Sequence, residues 1–204
     1  MNSESKAELR REMRRILAGF CESLGADERR SLTESICERI TALDEYKSAD
    51  IIFAYIPTDN EADCTPVILA ALADGKKVAV PKVSPDAARN GASEMDFYFL
   101  DGERPLAGQL ETGSYGIREP KPGLRKAILP PPAERGRIFM LVPGIAFTND
   151  GKRLGRGKAF YDIYITRMRV AGASPFLCGV CLPCQIVGNL PWEEHDVLMS
   201  AVVS

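Results

Sequence analysis

The sequence lacks a long apolar run, a marked excess of either charge and an apolar leader at its N-terminus. No apolar stretch approaches the ~20 residues of a membrane span, and the opening MNSESKAELRREMRR mixes acids with bases. The formal net charge is −2, whereas a general nucleic-acid binder needs a basic face. We therefore expect no membrane association and no nucleic-acid partner, and we predict a cytoplasmic protein.

Histidine is scarce too, which bears on the interpretation of the six cysteines. Cys178, Cys181 and Cys184 have the spacing of half an iron–sulfur or zinc site, and the single histidine, His195, is the nearest candidate for a fourth ligand. The segment is also typical of an apolar strand, in which Cys178 and Cys184 share one face and Cys181 points to the other. We predict buried free thiols, because buried cysteine behaves as a small hydrophobe and nothing indicates secretion. A metal site is the alternative.

The most informative segment is GKRLGRGKAFYD, residues 151–162, which carries Arg153, Arg156 and Lys158 among three glycines. Glycine allows a tight turn that exposes backbone N–H groups, and the positive end of a following helix also attracts anions. Asp162 comes one helical turn later, where a carboxylate can hold Mg²⁺ beside phosphates. The segment favours a site for a multiply charged anion such as a triphosphate. The alternative is a surface loop whose cations are merely solvated.

The two common phosphate-binding motifs are absent from this segment. A P-loop would need a glycine where Lys152 stands and a hydroxyl where Ala159 stands. The dinucleotide-binding pattern would need its third glycine at the position of Phe160. If the segment binds phosphate, it does so with another type of loop.

Two amphipathic helices are predicted at the start of the chain. Ser5 and Glu8 have capping-box spacing at the beginning of the first helix. Its apolar positions are Leu9, Met13, Ile16, Leu17 and Phe20. Its basic stripe, either solvated or a second phosphate contact, comprises Lys6, Arg10, Arg11, Arg14 and Arg15. The second helix is predicted from about Asp27 to Tyr46.

Strands that alternate with helices follow. The predicted strands are 50–56, 76–83, 94–100, 137–143, 175–182 and 197–203, and the predicted helices are 63–74 and 157–171. This alternation indicates the α/β class, with a mostly parallel sheet covered by helices on both faces. With 204 residues, 45% of them hydrophobic, we expect one domain over residues 1–204.

Three loops leave the predicted strands on the side where open parallel sheets bind ligands, at the carboxyl ends of the strands. They are PTDNEAD after the first strand, SYGIREP at 114–120, and PGIAFTNDGKRLGRG after the strand at 137–143. We predict that these loops converge on one site.

These motifs resemble those of the 5-formyltetrahydrofolate cyclo-ligase (methenyltetrahydrofolate synthetase) family. PGIAFTNDGKRLGRGKAFYD is similar to the family's ATP loop, and Lys6 with Arg10 is similar to its N-terminal basic pair. Glu61 matches its folate-binding acid, YGIREP (115–120) resembles its aromatic-G-I-x-E-P segment, and LPWEEHD (190–196) resembles its late Pro…Asp motif. The resemblance covers nearly the whole chain.

The resemblance implies a three-layer α/β/α sandwich and a ligation that depends on ATP and Mg²⁺. It implies conversion of 5-formyltetrahydrofolate to 5,10-methenyltetrahydrofolate with release of ADP and phosphate, through phosphorylation of the formyl oxygen and ring closure by the second folate nitrogen. It assigns Arg156 and Lys158 to catalysis, and Asp162 and Asp196 to Mg²⁺, although Asp196 alone would be interpreted as a turn residue. The implied ATP contacts are Lys6, Arg10, Arg153, Leu154, Gly155, Arg156, Gly157, Lys158, Ala159, Phe160 and Tyr161.

The folate pocket implied by the resemblance should be apolar with a few oriented polar groups. Glu61 would accept pterin N–H donors, although alone it would be interpreted as an exposed loop acid. The candidate ring contacts are Ile56, Met95, Tyr115, Phe147 and Tyr161. For Met95 and Phe147, core packing is an equally good interpretation. We expect a monomer or a weak homodimer.

Two positions depart from the family pattern. Ala159 stands where the family usually has glycine, and Thr148 replaces a common aspartate. A positive φ at residue 159 would strain an alanine. Because residues 157–171 are predicted to be helical, we expect Ala159 to be helical and harmless.

Two other functions remain open at this point. A sugar-phosphate isomerase or CoA-transferase-like enzyme could use the basic loop without ATP. A nucleotide- or folate-binding protein without turnover is the non-enzymatic alternative.

Overall fold

A computed structural model describes residues 3–84, 94–113, 116–128 and 136–204, with only the backbone of residues 3–5. The helices are α1 (Ser3–Ser23), α2 (Ala26–Ala42), α3 (Asp44–Lys47), α4 (Thr65–Ala73), α5 (Leu106–Gln109) and α6 (Phe160–Val170). The strands are β1 (Ile51–Phe53), β2 (Lys77–Val83), β3 (Met95–Phe99), β4 (Leu110–Thr112), β5 (Arg118–Pro120), β6 (Ile138–Pro143), β7 (Ala146–Phe147), β8 (Arg153–Leu154), β9 (Phe176–Val180) and β10 (Ala201–Val203).

The central sheet has six strands in the order β10-β9-β6-β1-β2-β3. All neighbours in it run parallel except β2 and β3, which are antiparallel. Strand β6, with the sequence IFMLVP, lies between β1 and β9 and is almost wholly buried, as a continuous apolar run in a parallel sheet should be. Edge strand β3 alternates buried Met95, Phe97 and Phe99 with half-buried residues. The predicted mostly parallel sheet is confirmed.

Helices cover both faces of this sheet. On one face, α1, α2 and α4 pack Leu17, Ile40 and Ile68 against strand residues such as Ile52 and Leu141. On the other face, α6 packs Tyr164, Ile165 and Met168 against residues that include Phe53, Phe97 and Met140. These are the three layers of the predicted α/β/α sandwich. Within the described ranges, no helix is both long and apolar enough to cross a membrane.

The N-terminal helices differ from the prediction in three details. Helix α1 begins at Ser3 rather than Ser5, and its buried stripe runs through Met13, Leu17 and Cys21, so that Ile16 lies at the edge with 38% of its surface exposed. The second predicted helix is divided in two, because Leu43 adopts an extended backbone with ψ 136° and packs against the core. A new helical turn then begins at Asp44.

The cysteine segment has the predicted distribution of faces. Cys178 is buried in the core on the α1 side and Cys181 in the core on the α6 side, while Cys184 packs against the first of these. Burial raises the pKa of the Cys178 and Cys181 thiols to about 12, so both stay protonated. Among the described residues, no group of three His, Cys, Asp or Glu side chains is arranged to hold a metal ion.

Candidate active site

A cleft of about 550 Å³ opens at the carboxyl ends of the parallel strands. The loop after β1 lines it with Thr58, Asn60 and Glu61, and the segment 116–119 forms a second wall. The third wall is the chain after β6, from Pro143 and Gly144 to residues 153–162. The three loops predicted to converge therefore meet in this cleft.

The loop after β6 is built from a short hairpin and a left-handed turn. Strands β7 and β8 pair antiparallel, and Thr148 closes the turn between them by donating its N–H to Lys152 O at 3.0 Å and accepting the Lys152 N–H at 3.0 Å. Thr148 is buried and is not among the residues that line the cleft. The aspartate common at this position is therefore replaced by a residue that stabilises the hairpin.

Ala159 differs from the prediction. Gly157 has φ +101°, Ala159 has φ +51° and ψ +17°, and α6 begins only at Phe160. The prediction of a helical Ala159 is therefore wrong, because the chain needs a left-handed residue to turn from the cationic loop into the helix. Such a conformation costs an alanine about 1–2 kcal/mol, and glycine would adopt it freely. No side-chain hydrogen bond caps the start of α6, and the first residues of this helix, Phe160, Tyr161 and Asp162, line the cleft.

Arg153 is held against Asp162 at the start of α6. Its Nη2 donates to Asp162 Oδ2 at 2.6 Å and its Nη1 to Pro143 O at 3.2 Å, while only 5% of the side chain is exposed. Its guanidinium lies 5.9 Å from the ring centre of Tyr161. Arg153 lines the cleft, but its fork is already engaged by protein atoms. In this geometry Arg153 stabilises the loop, and both of its terminal nitrogens already donate to protein oxygens.

Arg156 reaches across the cleft to the loop after β1. Its Nη2 lies 2.8 Å from Glu61 Oε1 and donates to Thr58 Oγ1 at 3.2 Å. The Glu61 side chain is 9% exposed, whereas that of Arg156 is 52% exposed. The predicted phosphate ligand and the predicted folate-binding acid thus neutralise each other in the free protein. Glu61 is a nearly buried acid, not the exposed loop residue that its sequence position alone suggests.

Lys158 is exposed and lines the cleft between Gly157 and Ala159. It forms no ion pair or side-chain hydrogen bond with the part of the chain that the structure describes. A lysine ammonium on a flexible stem can follow a ligand as a point charge. Lys158 therefore contributes an available positive charge to the cleft.

The basic stripe of α1 divides into two sets. Lys6, Arg10 and Arg14, spaced four apart, contact Asp196 or the backbone of residues 155–156. Lys6 and Arg10 are half-buried, whereas Arg14 is exposed, as Arg11 and Arg15 are. Arg10 Nε donates to Gly155 O at 2.9 Å, and Arg14 Nη2 donates to Arg156 O at 3.4 Å. These contacts orient the backbone of the glycine loop. Arg14 was not among the predicted site residues, although its separation of four residues from Arg10 indicates that the two side chains share one helix face.

Lys6 ties the N-terminal helix to Asp196. Its Nζ lies 2.8 Å from Asp196 Oδ2 and 3.3 Å from Glu193 Oε1, and 12% of its side chain is exposed. Burial alone would raise the pKa of Asp196, but the hydrogen bonds from Lys6 and from the Glu193 N–H outweigh it and lower this pKa. His195 lies beside Glu193, at 3.2 Å, in the same loop.

The predicted ring contacts divide into three groups. Ile56, Met95 and Tyr161 line the cleft. Phe147 is fully buried, with its ring beside Gly144 and Gly179, which agrees with its interpretation as a core residue. Tyr115 lies outside the described residues. Among the predicted nucleotide contacts, Leu154 is buried in a small cluster with Met13, Ile145, Ala146 and Leu190.

Tyr161 has a perturbed hydroxyl. Burial, and then the nearby negative charge of Glu61, raise the pKa of Tyr161 well above its usual range. Its phenol is therefore neutral at every physiological pH and remains available as a hydrogen-bond donor. Thr58 is one of the cleft residues that sequence reasoning missed, because a threonine in a polar loop gives no signal of its own.

The fold and the cleft together define an α/β enzyme-like sandwich in which a cationic glycine loop opposes a nearly buried carboxylate. The sequence model of the 5-formyltetrahydrofolate cyclo-ligase family matches residues 2–204. The chain therefore belongs to this family, and the prediction of a ligase is confirmed.

Relatives with this name are similar along most of the chain. The probable 5-formyltetrahydrofolate cyclo-ligase of Caenorhabditis elegans is 29% identical, over 98% of this chain and 92% of that protein. The 5-formyltetrahydrofolate cyclo-ligase of Mycolicibacterium smegmatis is 30% identical, over 77% of this chain and 74% of its own length. The NMR structure of 5,10-methenyltetrahydrofolate synthetase from Aquifex aeolicus is 29% identical with a TM-score of 0.72, over 97% of this chain and 88% of that chain.

Proposed function

We propose that this protein converts 5-formyltetrahydrofolate to 5,10-methenyltetrahydrofolate and uses ATP to do so, with release of ADP and phosphate. The observation that carries this proposal is the cleft itself. It places a nearly buried acid, Glu61, opposite the cationic loop with Arg156 and Lys158, at the carboxyl edge of the sheet. An acid that accepts ring N–H donors and cations that hold phosphates are the two groups that a folate and ATP require.

The phosphate side of the site would consist of Lys158, Arg156 and the uncapped start of α6. Phosphoryl transfer depends mainly on positioning and on stabilisation of negative charge. Lys158 would act as a point charge at the transferring group, and Arg156 would turn from Glu61 to the phosphate oxygens. Arg153 would keep Asp162 and the loop in place from beneath.

The chemistry explains why a nucleotide is needed. An amide-like formyl oxygen is a poor leaving group, and phosphorylation makes it a good one. The formyl oxygen would attack the γ-phosphorus, the bond to the bridging oxygen of ADP would break, and an imidate phosphate would form. The second folate nitrogen, N10, would then attack the activated carbon and release its proton to solvent, and inorganic phosphate would leave as the ring closes.

Asp162 and Asp196 would be the magnesium ligands, since carboxylates have the chemistry that this ion prefers. Asp162 Oδ1 accepts the backbone N–H of Val197 at 3.4 Å, so the chain beside Asp196 lies against the Asp162 carboxylate. The two side chains are 21% and 20% exposed. Mg²⁺ binds through one or two carboxylates together with phosphate oxygens and water, and it would offset the charge of the triphosphate. Arg153 and Lys6 now hold these two carboxylates, so they would have to share them with the ion.

The folate side would place the pterin ring against Ile56, Met95 and Tyr161, with its N–H donors on Glu61. Ile56 and Met95 are buried among apolar neighbours, which provides an apolar wall for a flat ring. Tyr161, kept neutral, would offer its hydroxyl as a hydrogen-bond donor.

The experiment is a direct turnover assay. Purified protein is mixed with 5-formyltetrahydrofolate and Mg-ATP, and the ultraviolet absorbance of methenyltetrahydrofolate is followed. An increase in this absorbance that requires ATP and stops on chelation of Mg²⁺ supports the proposal. Folded protein that binds ATP without producing methenyltetrahydrofolate would contradict it and favour a binding protein, while ATP-independent turnover of a sugar phosphate or CoA ester would favour the other enzyme class.

A further inference from the structure

Thr58 lies at the point where the two halves of the cleft meet. Its backbone N–H donates to Glu61 Oε2 at 3.0 Å, and its hydroxyl donates to the same oxygen at 2.9 Å. The Glu61 N–H in turn donates to Thr58 O at 3.0 Å and closes a tight turn. The same hydroxyl oxygen accepts a hydrogen bond from Arg156 Nη2 at 3.2 Å. One short side chain therefore contacts both the candidate folate acid and the candidate phosphate ligand.

This network gives the two carboxylate oxygens of Glu61 different roles. Oε2 receives both hydrogen bonds from Thr58, so it is fixed to the turn. Oε1 points instead to Arg156, at 2.8 Å. A carboxylate held through one oxygen keeps a defined orientation, and its other oxygen remains available to the cleft whenever the arginine moves away.

The turn that carries Thr58 is itself anchored to the helical layer. Arg29 of α2 donates from Nη1 to Asp59 O at 3.2 Å and from Nη2 to Cys21 O at 2.9 Å. The loop after β1 is thus tied to both α1 and α2 through backbone oxygens. Thr58 is therefore presented by an anchored turn, which is what a positioning role requires.

We propose that Thr58 is a positioning residue for the folate site: it holds Glu61 Oε2 so that Oε1 faces the pterin N–H donors when Arg156 turns to the nucleotide phosphates. This inference rests on the proposed function and adds to it a residue that the family motifs do not mark. Thr58 acts through Glu61 and does not touch the reacting atoms. Without the Thr58 hydroxyl, Glu61 Oε2 would keep only the hydrogen bond from the Thr58 N–H, and the orientation of Oε1 would be less well defined.

The test compares Thr58→Val, which removes the hydroxyl at nearly constant shape, with Thr58→Ser, which retains it. Equilibrium binding of 5-formyltetrahydrofolate is measured for the wild type and both variants, with and without a non-hydrolysable ATP analogue. A hydrogen bond to a charged group is worth about tenfold or more in affinity. We expect Thr58→Val to weaken folate binding about tenfold, whether or not the analogue is present, and Thr58→Ser to restore it. The affinity for the analogue should stay that of the wild type. The unfolding midpoint of Thr58→Val should fall, because the nearly buried Glu61 loses one hydrogen bond, so binding is measured at a temperature at which both variants are folded.

The outcomes separate this inference from the proposed function. Wild-type protein that does not bind 5-formyltetrahydrofolate would overturn the proposed function itself. Wild-type binding that Thr58→Val leaves unchanged would overturn only the role of Thr58. If Thr58→Val loses folate affinity only when the ATP analogue is absent, the proposed role of Thr58 would also be overturned. Thr58 would then act through Arg156 and not through Glu61. If the valine variant does not fold, Thr58→Ala gives the same comparison with a smaller side chain.

Discussion

Replacing Ala159 by glycine should make the protein more stable, although the change removes a methyl group from a helix start. Ala159 has φ +51° and ψ +17°, a left-handed conformation that costs an L-residue about 1–2 kcal/mol. Glycine avoids this cost, but it increases the conformational entropy of the unfolded chain, which lowers the free energy of unfolding by about 0.4–1 kcal/mol. The net gain should be about 1 kcal/mol, which corresponds to a rise of roughly 2–4 °C in the unfolding midpoint of a chain of this size.

The matched control is Ala171→Gly, at the other end of the same helix. Ala171 has φ −78° and ψ 4°, so glycine relieves no left-handed strain there and only the unfolded-state effect remains. The control should therefore lose about 0.4–1 kcal/mol. Both variants are followed by calorimetry and by urea unfolding. A loss of stability in Ala159→Gly equal to that of the control would refute the left-handed conformation of Ala159.

Three further predictions concern the charged groups of the site. Lys158→Ala should abolish turnover in the methenyltetrahydrofolate absorbance assay while folate binding in the same preparation stays intact; near-normal turnover would contradict its phosphate role. Arg153→Met should lower the free energy of unfolding by about 3 kcal/mol, because it leaves the partly buried Asp162 carboxylate without its cation, and a loss under about 1 kcal/mol in urea unfolding would rule out that support. Lys6→Met should reduce the loss of stability in acid. The pKa of Asp196 is lowered in the folded state, so this carboxylate stabilises the fold above its unfolded-state pKa of 3.8. The stabilisation disappears as the pH falls through the lower folded-state pKa. Urea midpoints measured from pH 7 down to about pH 3 would show equal slopes if Lys6 had no such role.

The strands and the location of the cleft could be predicted because they depend on local patterns. The apolar run IFMLVP at 138–143 is typical of a buried strand, because it is shorter than most helices. The glycine at position 75, with φ +73°, marks the end of α4 where it was predicted. Once parallel strands alternate with helices, the loops at their carboxyl ends must lie at one edge of the sheet. The sandwich follows from the same pattern.

Backbone conformation at single residues was not predictable in the same way. Ala159 lies in a stretch whose apolar spacing indicates a helix, but the turn from the hairpin into α6 requires a left-handed residue at that point. Leu43 likewise continues a helical pattern, yet it turns into the core with an extended backbone. In both cases tertiary packing overrides a local preference that is worth less than about 1 kcal/mol.

Two of the charge pairs could not be predicted, because Arg156–Glu61 and Lys6–Asp196 join segments far apart in the chain. The third pair, Arg153–Asp162, is local, with its members nine positions apart in the sequence. Three cations predicted to bind phosphate are each paired with an acid predicted to bind folate or Mg²⁺. These pairs are Arg156–Glu61, Arg153–Asp162 and Lys6–Asp196. In these three pairs the opposite charges neutralise each other, which avoids the cost of leaving a buried charge unpaired.

This arrangement changes what ligand binding has to accomplish. Under the proposed function, a nucleotide that takes Arg156 would leave Glu61 with an oxygen that needs a donor, and the pterin would supply one. A folate that arrives first must instead displace Arg156 itself. Because the Arg156 side chain is about half exposed while Glu61 is nearly buried, the arginine is the partner that can move. The geometry therefore favours binding in which each substrate improves the site of the other, and the affinity for 5-formyltetrahydrofolate should rise when the nucleotide is present.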